Sequence, residues 1–389
     1  MPFAAALSTN RSTSQALAEV CAQAQGFSEP ADLALLFFSP HHAEQADQLA
    51  EAAQERLQPR CLVGCNGEAI IGGDREIEET PALSLWLGRW TSPVELASFH
   101  LELEETPDGY SLLGWPDTVA DADPARSVIL LLGDPFSFPT DAFLNQINEE
   151  HAGMRVIGGM ASGGKSPGES RLLLGNDVKR EGAVAVLLQD APGVRTVVSQ
   201  GCRPIGRHMV ITRAQENVIL GLGGKPPLEH LQNLWKELNP RDQQLFQDGL
   251  HIGRVINEYQ EEFQRGDFLV RNVLGLDRRT GALAITDRVR VGQTVQFHVR
   301  DAATADEDLH ALLQMDRSAH PKKPAAALLF TCNGRGSRLF SEPNHDAGAL
   351  RGEAGEIPVA GFFAAGELGP VGGQNFIHGF TASVALFED

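Results

Sequence analysis

The stretch IPVAGFFAAGELGPVGGQNFIHGFTASVALF, Ile357 to Phe387, sets a pattern that occurs more loosely in two earlier parts of the chain. It reads as a short apolar strand from Val359 to Phe363, then a bend of small residues carrying Gly366, Glu367, Gly369, Pro370, Gly372 and Gly373. A second strand follows, in which Phe380, Ala382, Val384 and Leu386 alternate with Thr381, Ser383 and Ala385. Glycine lets a backbone approach a neighbour closely, so the bend suits a ligand contact. Ahead of it stands another strand, Ala325 to Thr331, which ends in Cys332-Asn333-Gly334-Arg335-Gly336. Between the two lies a polar segment, Asn344 to Arg351, with the makings of a short helix.

The same order recurs upstream and points to duplication. The first copy runs from the strand Leu33 to Phe38 through the helical spacing of Ala43 to Leu57 to Gly64-Cys65-Asn66-Gly67-Glu68, with Leu83 to Leu87 as its return strand. The second runs from Val128 to Leu132 through Thr140 to Glu150 to the glycine-rich run Gly158 to Gly164, and on to Val184 to Leu188. Glu68 and Glu367, each one residue beyond a glycine, are expected at matching places. The resulting fold class is α/β, with mixed sheets built from repeated strand-helix-strand units.

Composition sets the outer bounds. The 389 residues exceed a single core, so two domains are expected. A hydrophobic share of 42% with 21% charged residues describes a globular chain. The net charge of −19 argues against a nucleic-acid partner, because phosphate binding needs basic surface. No apolar run is long enough to cross a bilayer, and the N-terminus lacks the basic start of a secretory signal. Five scattered cysteines form no disulfide framework, so a cytoplasmic location is expected. Cys61 and Cys65 have no His pair at ligand spacing, and neither a metal nor another cofactor is expected.

Between the units, Ser14 to Gln25 has helical spacing, and Glu102 to Leu113 reads as a strand pair around Pro107-Asp108-Gly109. Gly201 to Gly206 reads as a tight turn, and Met209 to Thr212 with Asn217 to Gly221 as a hairpin. Gly223-Gly224-Lys225-Pro226-Pro227 is the strongest linker signal, which divides the chain into contiguous domains at 1–222 and 223–389. A helix from Leu228 to Leu238 opens the second. Four strands follow, near Gly253 to Asn257, Phe268 to Val273, Ala282 to Ile285 and Thr294 to Val299, and then a helix from Asp306 to Met315.

HIGRVINE (His251 to Glu258), DFLVRNVLGLD (Asp267 to Asp277), VRVGQTVQFHVRDA (Val289 to Ala302), LLFTCNGRG (Leu328 to Gly336) and GFFAAGELGPVGGQNFIHGFTAS (Gly361 to Ser383) resemble the C-terminal portion of the FIST domain. VGCNGEAIIGG (Val63 to Gly73), the GGMASGG turn and SQGCRPIG (Ser199 to Gly206) resemble its N-terminal portion. The resemblance spans almost the whole chain. It implies a bacterial-type sensory module that binds a small ligand such as an amino acid or another carboxylate. Because the sequence shows no kinase, cyclase, chemoreceptor or F-box segment beside it, a stand-alone module with a separate signalling protein as its output partner is expected.

The candidate site follows from strand ends, where α/β folds place ligand contacts. Arg335 stands just past one of them and could grip a carboxylate with two hydrogen bonds, or else brace the turn. Glu367 could accept a ligand ammonium group, or pair with Arg335. Cys332 and Asn333 share the same strand end, Asn375 and His378 are placed at the rim, and Arg300, which ends a strand in the same half of the chain, is a weaker candidate. Two rival readings stand beside the sensor. In a thiol enzyme, Cys332 is the nucleophile and His378 the base, with Glu367 or Asp346 orienting the imidazole. In a protein-interaction scaffold, the glycine bends are purely architectural. Gly159 to Ser166 matches the phosphate-loop spacing, but Pro167, Gly168 and the strand-like residues after them leave no room for the helix such a loop requires.

Overall fold

The computed structural model describes residues 2–389 except 28–29, 107–108, 192, 261 and 264–265. The expected turn at Pro107-Asp108 therefore lies outside the described residues. The first repeat consists of β1 (Phe3–Ser8), α1 (Thr13–Gln23), β2 (Leu33–Phe38), α2 (Ala46–Leu57), β3 (Cys61–Asn66), a hairpin of β4 (Ile70–Gly72) and β5 (Arg75–Ile77), and β6 (Leu83–Gly88). The second has β7 (Glu95–Thr106), β8 (Gly109–Leu113), α3 (Asp117–Ala120), β9 (Ser127–Gly133), α4 (Thr140–Glu150), β10 (Arg155–Met160), a hairpin of β11 (Leu172–Leu174) and β12 (Asp177–Lys179), and β13 (Ala183–Gln189). The third opens with β14 (Val194–Gln200) and is then interrupted.

The interruption comprises β15 (Cys202–Gln215), β16 (Val218–Leu222), α5 (Pro227–Glu237), α6 (Pro240–Asp248), β17 (Leu250–Val255), β18 (Phe268–Leu276), β19 (Leu283–Ile285) and β20 (Thr294–Arg300). The third repeat resumes with α7 (Ala302–Ala319), β21 (Ala326–Cys332), α8 (His345–Ala354), β22 (Val359–Ala364), a hairpin of β23 (Glu367–Val371) and β24 (Gln374–His378), and β25 (Thr381–Phe387). The chain is thus an α/β protein with mixed sheets and repeated strand-helix-strand units.

Register makes the repeats comparable residue by residue. In each, two strands joined by a helix pair in parallel: β2 with β3, β9 with β10, and β21 with β22. The return strand runs antiparallel to the first of them: β6, β13 and β25 respectively. Each second strand carries a glycine opposite a leucine, Gly64 by Leu36, Gly158 by Leu131 and Gly361 by Leu329. A Cβ at these glycines would lie 2.1, 2.0 and 1.8 Å from the facing leucine carbonyl oxygen, far inside contact distance. Gly158 in addition has φ of +128°. Only glycine allows the two backbones this approach.

The hairpins are exchanged in a cycle. β11 of the second repeat pairs with β3 of the first, β23 of the third with β10 of the second, and β4 of the first with β22 of the third. Opposite the three glycines, these hairpins place Leu173, Leu368 and Ile71. The sequence-based reading of 364–378 as a bend missed this hairpin and also missed β4–β5; of β11–β12 it recognised only the strand-like residues Arg171 to Leu174.

The continuous apolar runs LALLFF in β2, SVILLLG in β9 and AALLFTC in β21 fit strands covered on both faces. The inner faces of the three sheets share one core, which includes Phe37, Trp86, Leu130, Phe330, Phe362 and Phe387. Helices cover the outer faces: α1 and α2 over the first sheet, α4 over the second, α7 and α8 over the third. Each large side chain so buried contributes roughly 1.5–3 kcal/mol.

The inserted strands close into a barrel of order β15-β16-β19-β18-β17-β20, filled by Ile211, Ile252, Val295, Phe297 and their neighbours. The turn expected at Gly201 to Gly206 is instead the start of the long strand β15, with a bulge between Ile205 and Met209 where Gly206 has φ of +65°. Helix α6, which sequence reading did not expect, begins where the Asn239 side chain accepts the Asp242 N–H.

The compact units do not divide at 222/223. One is 1–198, 309–377 and 381–389, and the other is 199–308 with 378–380. The physical reason is the hairpin exchange, which ties the first and third repeats into common sheets. Gly223 to Pro227 proves to be the connection from β16 to α5 within the barrel unit. No helix among the described residues is long and apolar enough to cross a membrane.

Candidate functional site

The third repeat differs from its siblings in holding a buried cluster of charges near the ends of β21 and β22. Arg335 is fully buried, and its guanidinium grips Asp346 at the start of α8 with two hydrogen bonds of 2.7 Å. Thr331 also donates to Asp346, and His345 Nδ1 lies 2.9 Å from its other oxygen. Burial alone would push the Asp346 carboxyl up, but the adjacent Arg335 charge and these hydrogen bonds hold it well below the usual range. Phe340 completes the arrangement, with the His345 ring stacked on it and the Arg335 guanidinium 5.2 Å from its centroid.

The first repeat reaches into this cluster through its hairpin. Glu76 of β5 accepts the Ala347 N–H at 2.9 Å, which caps α8 from another repeat, and the Glu76 N–H donates to Asn344 Oδ1 at 2.7 Å. Burial, with Asp346 adding to it, pushes the Glu76 carboxyl up to about 7. Farther out, Arg338 forks onto Glu68 and donates to the Asn333 carbonyl at 2.8 Å.

Glu367 sits at the start of β23, opposite Gly159. The register places Leu172 of the second repeat and Ile70 of the first at the equivalent positions, opposite Cys65 and Phe362. All three are fully buried, and only the third repeat puts a carboxyl there. Burial pushes the Glu367 pKa well above its ordinary value, while the Thr381 N–H, the Arg335 charge and the Cys332 thiol pull it down more weakly. The Thr381 N–H donates to Oε2 at 3.2 Å. Oε1 is buried with no hydrogen-bond partner among the described residues, and so is Asn333 Oδ1. An unsatisfied buried polar atom costs roughly 1–3 kcal/mol.

Sequence reasoning therefore brought together the correct strand ends but assigned several roles that the structure revises. Cys332, Asn333, Arg335 and Glu367 do converge. Of the two readings of Arg335, a grip on a ligand carboxylate or a structural brace, the geometry matches the second: its guanidinium pairs with Asp346, a partner that sequence reasoning did not name. Asn375 is not a rim donor. Its amide nitrogen donates to Asn148 Oδ1 and the Met154 carbonyl, and its Oδ1 accepts the Val156 N–H, so it fastens β24 to β10 and α4. Arg300 and His378 belong to the barrel unit, where the Arg300 guanidinium lies 5.0 Å from the Phe380 ring centroid. Glu68 is not the counterpart of Glu367, because it precedes β4 and is half-exposed, paired with Arg338. In the phosphate-loop look-alike, the Lys165 and Ser166 N–H groups both donate to Glu169, and the next regular element is a strand.

Residues 32–225 match the FIST N domain and residues 227–370 the FIST C domain. The chain belongs to the FIST family. An uncharacterized protein of Mycobacterium tuberculosis is 44% identical over 357 residues, covering 92% of this chain and 91% of its own length. An uncharacterized protein of Mycobacterium bovis is 42% identical over 377 residues, or 96% of each chain. FIST domains are associated with sensory and signal-transduction roles. The buried cluster draws on both domains of this FIST protein: Glu76 comes from the N domain, and Cys332, Asn333, Arg335, Asp346 and Glu367 from the C domain.

Proposed function

We propose that this FIST protein is a sensory module whose small ligand, an amino acid or a related compound with a hydrogen-bond donor group, engages Glu367 together with Cys332 and Asn333. The observation that carries the reading is the carboxyl at a position where the sibling repeats have Leu172 and Ile70. A carboxyl in an apolar slot is retained at a cost in stability, and such groups concentrate at functional sites. Arg335 and Asp346 then serve as the rigid floor of the site, not as its recognition groups.

An ammonium donor would find two unpartnered acceptors in Glu367 Oε1 and Asn333 Oδ1, and its arrival would favour the ionised form of Glu367. Glu367 is inaccessible in this conformation, so the proposal requires the hairpin β23–β24 to open. Ligand binding and hairpin movement become one event, and a separate signalling protein can read it. Gly366, with φ of +153°, and Gly372 and Gly373, with φ of +59° and +80°, supply the freedom at its base and tip.

The test is a thermal-shift screen of amino acids and small carboxylates, followed by calorimetry on wild type and Glu367→Gln. A ligand that stabilises wild type and binds Glu367→Gln at least tenfold more weakly is the expected result. Equal binding to both proteins, or no ligand at all, removes the proposal.

A further inference from the structure

The barrel unit contains a cavity that the preceding reading does not use. It has a volume of about 510 Å³ and lies where α5 and α6 cover the mouth of the barrel. Leu228, Leu231, Trp235, Phe246, Leu250 and Val273 account for most of the wall, and Leu276 and Leu283 continue it along β18 and β19. Trp235 and Phe246 meet edge to face at 5.5 Å and form an aromatic corner. Barrel mouths are frequent places for small-molecule sites, and this volume falls in the range that such sites occupy, roughly 300–1,000 Å³.

The cavity has one polar side. Gln232 and Lys236 lie four residues apart on α5, exposed at its edge, and Lys236 makes no hydrogen bond or ion pair among the described residues. The barrel unit has nearly equal numbers of Lys/Arg and Asp/Glu residues, so most of the net charge of −19 falls on the other unit and does not gather around this opening.

We propose that this cavity binds a small amphipathic monocarboxylate, with its hydrocarbon body among the leucines and Trp235 and its carboxylate at Lys236. The site is independent of Glu367, and the two proposals fail separately.

Dodecanoate is the probe, with dodecanol as its uncharged counterpart. Trp235 is the only tryptophan of the barrel unit, so its fluorescence reports occupancy. Wild type is expected to show saturable changes with both probes, and dodecanoate to bind more tightly. Lys236→Gln should weaken dodecanoate roughly fivefold, the scale of one exposed charge pair, and leave dodecanol unchanged. Val273→Asp should abolish both. Leu228→Trp, which fills the cavity instead of charging it, should do the same when binding is followed by calorimetry, in a protein whose circular dichroism matches wild type, and Glu367→Gln should bind the probes normally. The proposal is overturned if wild type binds neither probe saturably, or if the filled variant binds as wild type does. It is also overturned if wild type is a dimer that Val273→Asp converts to a folded monomer, because the cavity would then be an interface between copies.

Discussion

Replacing Arg335 by alanine should be among the most damaging single changes in the chain. The guanidinium and the Asp346 carboxylate are both essentially excluded from water and joined by two hydrogen bonds of 2.7 Å. Removing the cation leaves a carboxylate in the core with only Thr331 and His345 as side-chain partners, and breaking a buried pair in this way costs ~3–5 kcal/mol. That is a large part of the total stability of an ordinary domain, about 5–15 kcal/mol. The assay is urea unfolding followed by tryptophan fluorescence in a Trp235→Phe background. The remaining tryptophans, Trp86, Trp90 and Trp115, all lie in the larger unit. The double variant Arg335→Met/Asp346→Leu should recover most of the loss, since apolar replacement of a whole buried pair is often neutral or stabilising. A cost below ~1 kcal/mol for Arg335→Ala, the value of an exposed pair, would mean that Asp346 does not depend on the guanidinium, which would then be free for a ligand.

Glu76 is pushed up to about 7, so the folded protein holds a proton that the unfolded chain releases near 4.5. Its contribution to stability is therefore full below about pH 4.5 and is lost as pH rises through about 7; Glu76→Gln should flatten that part of a melting-temperature profile and raise the melting temperature at pH 8. Gly361→Ala places a Cβ 1.8 Å from the Leu329 carbonyl oxygen and should cost at least the ~1–3 kcal/mol of core overpacking in denaturant titrations, with Gly64→Ala and Gly158→Ala behaving alike. A normal midpoint for any of the three would break the equivalence of the repeats. Glu367→Leu restores the residue type of the sibling repeats and should raise the unfolding midpoint by the equivalent of ~1–3 kcal/mol, since it removes a buried acceptor without a partner. A lower midpoint would mean that the carboxyl is structural.

The parallel strand-helix-strand units were legible because each puts a run of five or more apolar residues ahead of a helical pattern and a glycine. Val359 to Phe363 and Leu33 to Phe38 needed no partner in space to be recognised. The exchanged hairpins were not legible. Their first strands span three residues in β4 and β11, too few to show a period, and they pair with strands of another repeat. This gap produced the false match of Glu68 with Glu367, since counting from a glycine cannot see which sheet the next strand joins. It also hid the division of the chain into units, because Gly223 to Pro227 is a local turn signal whereas the units are set by non-local pairing. The Arg335 partner was within reach: Asp346 stands in the first turn of a helix read from Asn344, and an acid there beside a glycine-flanked arginine is a pairing that sequence can suggest. Nothing local to Glu367 could reveal that its siblings are Leu172 and Ile70.

The claim that Glu367 marks a ligand site is met most directly by native mass spectrometry of the wild-type protein and Glu367→Leu, each purified gently from the cells in which the protein naturally occurs. Wild type is expected to retain a small molecule that the variant lacks, while both remain folded. The same molecule on both proteins, or none on wild type, would contradict it.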